Sequence, residues 1–208
     1  MLHKQTVTTE TLAILRFVQT NPLFNQTRLV GGTALSLQYG HRLSLDLDFF
    51  GKIDLSVDEI TKELQHFGSI QTLKNSKSIL ILSVNNVKID FVNYSYLWLE
   101  DTLELEGFKL ALAVDIAAMK IATITGRGSK KDFFDLDLLL NYYSLENIFN
   151  FFEKKYTDAS VYLALKSLVY FEDADDEPDP IILNGRTWRQ VKRNVEAIQV
   201  KYLEKLGA

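Results

Sequence analysis

Apolar positions keep a mixed rhythm over the first half of the chain and a helical one over the second. In "TVTTETLAILRFVQTN" Leu12, Leu15 and Val18 recur at helical spacing, threonines open the run and Pro22 lies just beyond it, so a helix is expected over about residues 8–20. "TRLV" then reads as a short strand broken by Gly31 and Gly32, and "TALSLQYG" as a short helix with Thr33 near its start and Gly40 closing it. "SLDLDFFG" alternates strictly: Leu45, Leu47 and Phe49 share one face, and Asp46 and Asp48 the other. Residues 56–67 are helical by pattern. "ILILSV" and "VKIDFV" flank Asn85 and Asn86, residues that tolerate the positive φ of a tight hairpin, and Lys88, Asp90 and Val92 share a face of the second strand.

From about residue 112 the runs are helical: "AVDIAAMKIATIT", "KDFFDLDLLLNYY", "LENIFNFFEKKY", "ASVYLALKSLVYF" and, after a break at "DEPDP", "TWRQVKRNVEAIQVKYLEKL". Strands and short helices followed by a helical half predict an α+β protein. The expected division is a mixed-sheet core over residues 1–110 and a helical lobe over 111–208 that completes an active-site cleft.

Composition narrows the chemistry. With no cysteine, disulfides, thiol nucleophiles and cysteine-bound zinc are excluded, and the three histidines, His3, His41 and His66, are isolated. A metal here is expected to be a hard cation held by oxygen. The net charge of −4 argues against broad nonspecific binding to nucleic acid and leaves room for a local basic patch. No apolar run reaches the roughly 18–20 residues that span a bilayer, and "MLHKQTVTTE" lacks a secretory h-region, so a cytoplasmic protein without membrane partners is expected.

Asp46 and Asp48, two apart on a strand, repel each other unless a cation sits between them. Mg²⁺, or Mn²⁺ in its place, suits such a pair, because it takes oxygen ligands and is often held by one or two carboxylates together with substrate phosphates. Asp90 is a candidate third carboxylate, able to help bind a second metal or to serve as general base. Gly31 and Gly32 let backbone approach a ligand, and the helix after them offers free N–H groups to a triphosphate. A Gly-Gly pair alone is often only a turn, and an Asp-x-Asp pair often a solvated face; their order and spacing together are far more specific.

"GGTAL" followed by "HRLSLDLDFF" resembles the signature of the DNA polymerase β-like nucleotidyltransferases and, within them, the AbiEii/AbiGii toxin family of type IV toxin–antitoxin and abortive-infection systems. The likeness continues through "DIAAMKIATITGRGSKKDFFDLDLLL" and "YFEDADDEPDP". It implies a polymerase β-like mixed sheet with flanking helices, Gly31, Gly32 and Thr33 as the phosphate-side turn, and Asp46 and Asp48 as the metal pair. It also implies Lys120 turned toward nucleotide phosphate, and Asp132 and Asp135 contacting sugar or base or supporting Lys120. For Lys120 the alternative is a solvated far face; for the two aspartates it is a first-turn pair that complements the helix dipole.

Arg42, Arg127, Lys130 and Lys131 are candidate phosphate contacts, although "GRGSKK" equally fits an exposed loop. Ser44, two before Asp46, is a candidate nucleotide-side residue, where phosphorylation would add about −1.5 to −2 charge beside the metal pair; the alternative is a serine satisfying its own backbone. Near the end, Arg186, Arg189 and Arg193 beside Trp188 fit either an RNA grip or an amphipathic helix with a core-facing tryptophan. "EDADDEPD" lacks an EF-hand's spacing and reads as a solvated connection whose aspartates carry no chemistry.

The expected activity is metal-dependent transfer of a nucleoside monophosphate from a nucleoside triphosphate to an acceptor hydroxyl, with release of pyrophosphate. By the resemblance the protein is a toxin, its acceptor RNA, often tRNA, and its partner a cognate antitoxin. The rivals are transfer to a small molecule or protein side chain, and a catalytically idle nucleotide-binding or interaction module.

Overall fold

Alternating strands of the N-terminal half build a seven-stranded sheet in the computed structural model, which describes residues 1–54 and 56–207. Two compact units are distinguished. The first is Met1–Ser95 with Thr102–Ala111; the second is Tyr96–Asp101 together with the chain from Leu112 onward.

In the first unit α1 (Thr9–Thr20) starts where the Thr8 hydroxyl accepts the Thr11 N–H, and it buries Thr11, Ile14, Leu15 and Val18. The chain then forms β1 (Thr27–Val30), α2 (Gly31–Tyr39), β2 (Leu47–Gly51) and α3 (Val57–Leu64). β3 (Ile70–Asn75), β4 (Ile79–Val84), β5 (Val87–Asn93), β6 (Leu103–Leu105) and β7 (Phe108–Leu110) complete the sheet. Its order is β3-β4-β5-β2-β1-β7-β6. The β1–β2, β3–β4, β4–β5 and β6–β7 pairs are antiparallel, and β2–β5 and β1–β7 are parallel.

Asn85 and Asn86 turn the β4–β5 hairpin at φ 46° and 68°, the left-handed pair that a two-residue turn needs. One sheet face buries Leu80, Leu82, Leu47, Phe49, Ile89 and Phe91, and the Phe91 ring stacks on Phe24 and Phe49 at 5.3 and 5.5 Å. α2 is buried almost all round, from Gly32 to Leu37, which is why its sequence has no polar stripe.

Three details differ from the sequence expectation. The glycine pair does not precede α2 but opens it. Strand β2 begins at Leu47, so Asp46 stands one residue before it, and Leu45, expected to share a face with Leu47 and Phe49, is 50% exposed while those two are buried. Strands β3, β6 and β7 were not anticipated: β3 is exposed along nearly its whole length and lacks buried alternation, and the other two are three residues each.

The second unit holds α4 (Ala113–Gly126), α5 (Lys130–Leu139), α6 (Leu145–Lys155), α7 (Val161–Ser167), α8 (Glu172–Asp175) and α9 (Trp188–Leu206). α4 packs on α5, α6 and α7, while α9 covers α5 and α6. Ile116, Ala117, Ile121, Phe133, Leu136, Ile148, Phe149, Val191 and Val195 are buried in this bundle. The acidic run, expected to be a plain solvated connection, contributes α8, and α7 stops well short of the expected helix over 159–171. Among the described residues no helix is long and apolar enough to cross a membrane.

Candidate functional site

Strand pairing in the first unit gathers the carboxylates. β1 pairs with β2 so that Val30 faces Asp48, and β2 pairs with β5 so that Asp48 faces Asp90. Register partners on adjacent parallel strands project to one face, so these two aspartates are neighbours there. Val30 is also the residue before α2, and it offers the helix no side-chain cap. Gly31 follows at φ +68°, and a Cβ there would overlap Oδ2 of Asp48 and lie 3.2 Å from its Cγ. The Asp48 carboxylate therefore rests against the first residue of α2, at the positive end of the helix.

Side-chain bonds fix the approach to this strand. Thr33, 1% exposed, donates its hydroxyl hydrogen to the Asp46 carbonyl oxygen, and its oxygen lies 2.8 Å from the Ser44 hydroxyl. A carbonyl can only accept, so Thr33 spends its one proton there and Ser44 supplies the proton of the second bond. Ser44 and Arg42 are buried, and Arg42 donates from a terminal guanidinium nitrogen to the Leu43 carbonyl at 2.9 Å. Asp46 and Asp48 are half-buried on either side of fully buried Leu47. Lys88 lies 2.6 Å from Asp90 Oδ1, placing an ammonium beside the outer carboxylate.

Among the described residues no group of three or more His, Asp or Glu side chains is arranged to hold a metal ion. The Asp48–Asp90 neighbours nonetheless have the donor chemistry of a hard-cation site. Both are oxygen ligands on one sheet face, a cation already stands beside one of them, and open backbone flanks the other.

The second unit assembles a separate charged cluster. Lys120, on the mostly apolar α4, is 6% exposed; its ammonium lies 2.8 Å from Asp132 Oδ1 and 2.6 Å from Asp135 Oδ2. The two aspartates are three apart on α5 and so share the face turned to α4. Burial pushes the Asp132 carboxyl up, but the Lys120 ammonium and the Ser129 hydroxyl outweigh it and leave the group below its ordinary value. Of the readings open for this pair, the geometry shows the two carboxylates supporting Lys120, and it removes the solvated alternative for that lysine. Arg127, Ser129 and Lys131 line a cavity of about 590 Å³ together with Glu177 and Asp179.

Lys130 does not sit in an exposed loop. Its side chain is 5% exposed and its ammonium is held by the carbonyls of Asp175 and Glu177 and by Asp179 Oδ1. Of the two readings for the last helix, the core-facing tryptophan holds for Trp188, and Arg186, which precedes the helix, is engaged by a carboxylate. Trp188 packs on Phe133, Phe134 and Phe171 and donates its indole N–H to Asp175 at 2.6 Å, while Arg186 grips Asp137 through two nitrogens at 2.7 and 2.9 Å.

Sequence reading missed a buried pair. Lys155 and Asp115 are both 0% exposed and 2.6 Å apart. Asp115 also accepts the N–H groups of Leu99 and Glu100, and Lys155 bonds the Leu97 carbonyl and lies 4.5 Å from the Trp98 ring centre. Forty residues of separation left no local signal of it.

Residues 13–201 match the family model described as nucleotidyl transferase AbiEii toxin, type IV TA system. The chain is 38% identical over 186 residues to aq_aa25, an uncharacterized protein of Aquifex aeolicus (strain VF5), covering 86% of this chain and 89% of that one. The crystal structure of JHP933 from Helicobacter pylori is similar at a TM-score of 0.53 and 20% identity, over 100% of this chain and 97% of that one. A second H. pylori crystal structure, whose name proposes a nucleotidyltransferase, is similar at a TM-score of 0.52 and 20% identity over 95% and 94%. At such identities the structural likeness speaks for the fold.

Proposed function

Because the chain belongs to the AbiEii nucleotidyl transferase toxin family of type IV toxin–antitoxin systems, we propose that it transfers a nucleoside monophosphate from a nucleoside triphosphate to a hydroxyl of an RNA acceptor, tRNA foremost. The observation that carries this reading is the position of Asp48, between the glycine that opens α2 and its register partner Asp90. A carboxylate beside a helix start joins the two things a triphosphate requires, a cation-binding oxygen set and backbone N–H donors.

In this reading Gly31, Gly32 and Thr33 receive phosphate oxygens on the α2 N–H groups, and the absence of a Gly31 side chain keeps the path to Asp48 open. Asp46, Asp48 and Asp90 would hold Mg²⁺, or Mn²⁺, which when bound would neutralise phosphate charge and orient the α-phosphorus. The acceptor oxygen forms a bond to the α-phosphorus, the bond to the bridging oxygen of pyrophosphate breaks, and Asp90 takes the hydroxyl proton. Thr33 and Ser44 keep the backbone at Asp46 in place. Within the helical unit Lys120, fixed by Asp132 and Asp135, is the cation that the family resemblance assigns to nucleotide phosphate. Arg42 and Lys131 are the further cations assigned to phosphate. A cognate antitoxin is the partner that the family implies.

Incubation with each labelled nucleoside triphosphate, Mg²⁺ and total tRNA tests the reading. Label on RNA, lost in Asp48→Asn, supports it. Label on protein or a small molecule moves the acceptor to another class. Binding without transfer leaves a nucleotide-binding module, and near-normal transfer by Asp48→Asn overturns the assigned centre.

A further inference from the structure

The acidic stretch after α8 holds the start of α5 in an unusual way. Ser129 is the N-cap of α5, yet it makes no capping bond: its hydroxyl donates to Asp132 Oδ2 at 2.8 Å. The first backbone N–H of the helix lies outside the reach of an N-cap side chain, which serves the second or third N–H, so its acceptor must come from elsewhere. The acceptor comes from 47 residues away, because Glu177 Oε2 takes the Lys130 N–H at 2.7 Å. Lys130 grips the same stretch with its ammonium through the Glu177 and Asp175 carbonyls and Asp179 Oδ1. The stretch is anchored in turn at Asp175, which accepts the Trp188 indole N–H at 2.6 Å and the Lys192 ammonium at 2.7 Å.

We infer that Glu177 is a positioning residue for nucleotidyl transfer, a cap supplied in trans that seats the first turn of α5 and through Asp132 sets the Lys120 ammonium. The proposal rests on the functional reading above. The path is short and continuous: Glu177 holds the Lys130 N–H, Asp132 lies two residues on in the same turn, and its Oδ1 receives Lys120. Its physical logic is a division of labour. Ser129 orients the Asp132 carboxylate through its hydroxyl, while the Glu177 carboxylate, which also suits the positive end of the helix, holds the Lys130 N–H two residues before Asp132. Glu177 touches no substrate in this scheme and acts only through α5.

Two measurements on the full chain test it: hydrogen exchange of the Lys130 amide followed by NMR, with the Val195 amide on α9 as reference, and kcat and KM for the nucleoside triphosphate. Glu177→Ala is expected to speed exchange at Lys130 about tenfold while Val195 stays within about twofold, and to weaken KM or kcat about tenfold, the scale of one lost charge-assisted bond. Glu177→Gln keeps an acceptor oxygen and is expected to stay within about threefold of wild type in both. Unchanged exchange at Lys130 in Glu177→Ala overturns the proposal, as does equal acceleration at Val195, which marks a general loss of stability. Locally faster exchange with unaltered kinetics also overturns it, because the cap then has no bearing on Lys120. A wild type that transfers no nucleotide overturns the functional reading and the role of Glu177 in it, while exchange at Lys130 still decides whether the carboxylate seats α5.

Discussion

Gly31 and Asp48 are packed so closely that no side chain fits between the start of α2 and the carboxylate on β2. Two independent requirements meet at Gly31, a left-handed backbone at φ +68° and space for Asp48 Oδ2. Gly31→Ala is therefore expected to destabilise the protein by at least about 1–2 kcal/mol from the backbone alone. It should also displace the carboxylate, cutting transfer by about 100-fold, the scale of a misplacement near 1 Å. Urea unfolding and the labelled-nucleotide assay measure the two effects, and an alanine variant with wild-type transfer contradicts the assigned site.

The Lys120–Asp132 bond carries a pH dependence of definite sign. Asp132 is held below its ordinary value of 3.8, so the folded state prefers the ionised form. Its contribution is present above that value and is lost as pH falls through the lowered folded one. Asp132→Asn is expected to cost about 1–3 kcal/mol at pH 7, the range for a hydrogen bond to a charged group. The gap between variant and wild type should then start to close below about pH 4, where Asp132 of the unfolded chain takes its proton, and close further as pH falls through the lowered folded value. Thermal unfolding across pH 2.5 to 7 (about five points) checks this. A gap that widens toward acid reverses the assigned sign.

Breaking the Asp115–Lys155 pair should separate stability from activity. Both groups are fully buried, and removal of one leaves an uncompensated charge. Lys155→Met is expected to lose about 3–5 kcal/mol of stability. Folded variant at low temperature should keep kcat within about twofold, because the pair holds the segment at Leu97, Leu99 and Glu100, to which no part in transfer is assigned. Denaturant midpoints alongside kcat decide the point.

Arg186 provides a contrast with a nucleic-acid contact. Asp137, 3% exposed, takes both of its bonds and one more from Asn194 at 2.8 Å. Arg186→Ala should cost about 2 kcal/mol of stability and, with RNA as the proposed acceptor, leave the salt dependence of its binding unchanged, since a phosphate contact would lower that slope by about one. Filter binding at several salt concentrations measures the slope.

Helix spacing and the Asn85–Asn86 hairpin were legible because each is written in residues a few positions apart. Backbone periodicity turns such spacing directly into a shared face. The exposed strand β3 and the three-residue β6 and β7 were illegible for the same reason, having too few buried alternating positions to leave a period. Leu45 shows the limit of the rule: alternation runs through it, but the strand starts two residues later, and only the pairing of β2 with β1 and β5 settles where it begins.

The chain by itself determined the α+β order of elements, the family and the acidic and glycine residues at the centre of the proposed chemistry, all of them consequences of local pattern. Tertiary structure alone decided that Asp48 meets Gly31 and Asp90, that Lys120 is held by two carboxylates, and that Glu177 takes the first N–H of α5. Partners separated by 12 to 47 residues leave no periodic trace, because a buried charge or an open helix end accepts any suitable group that folding brings within about 3 Å.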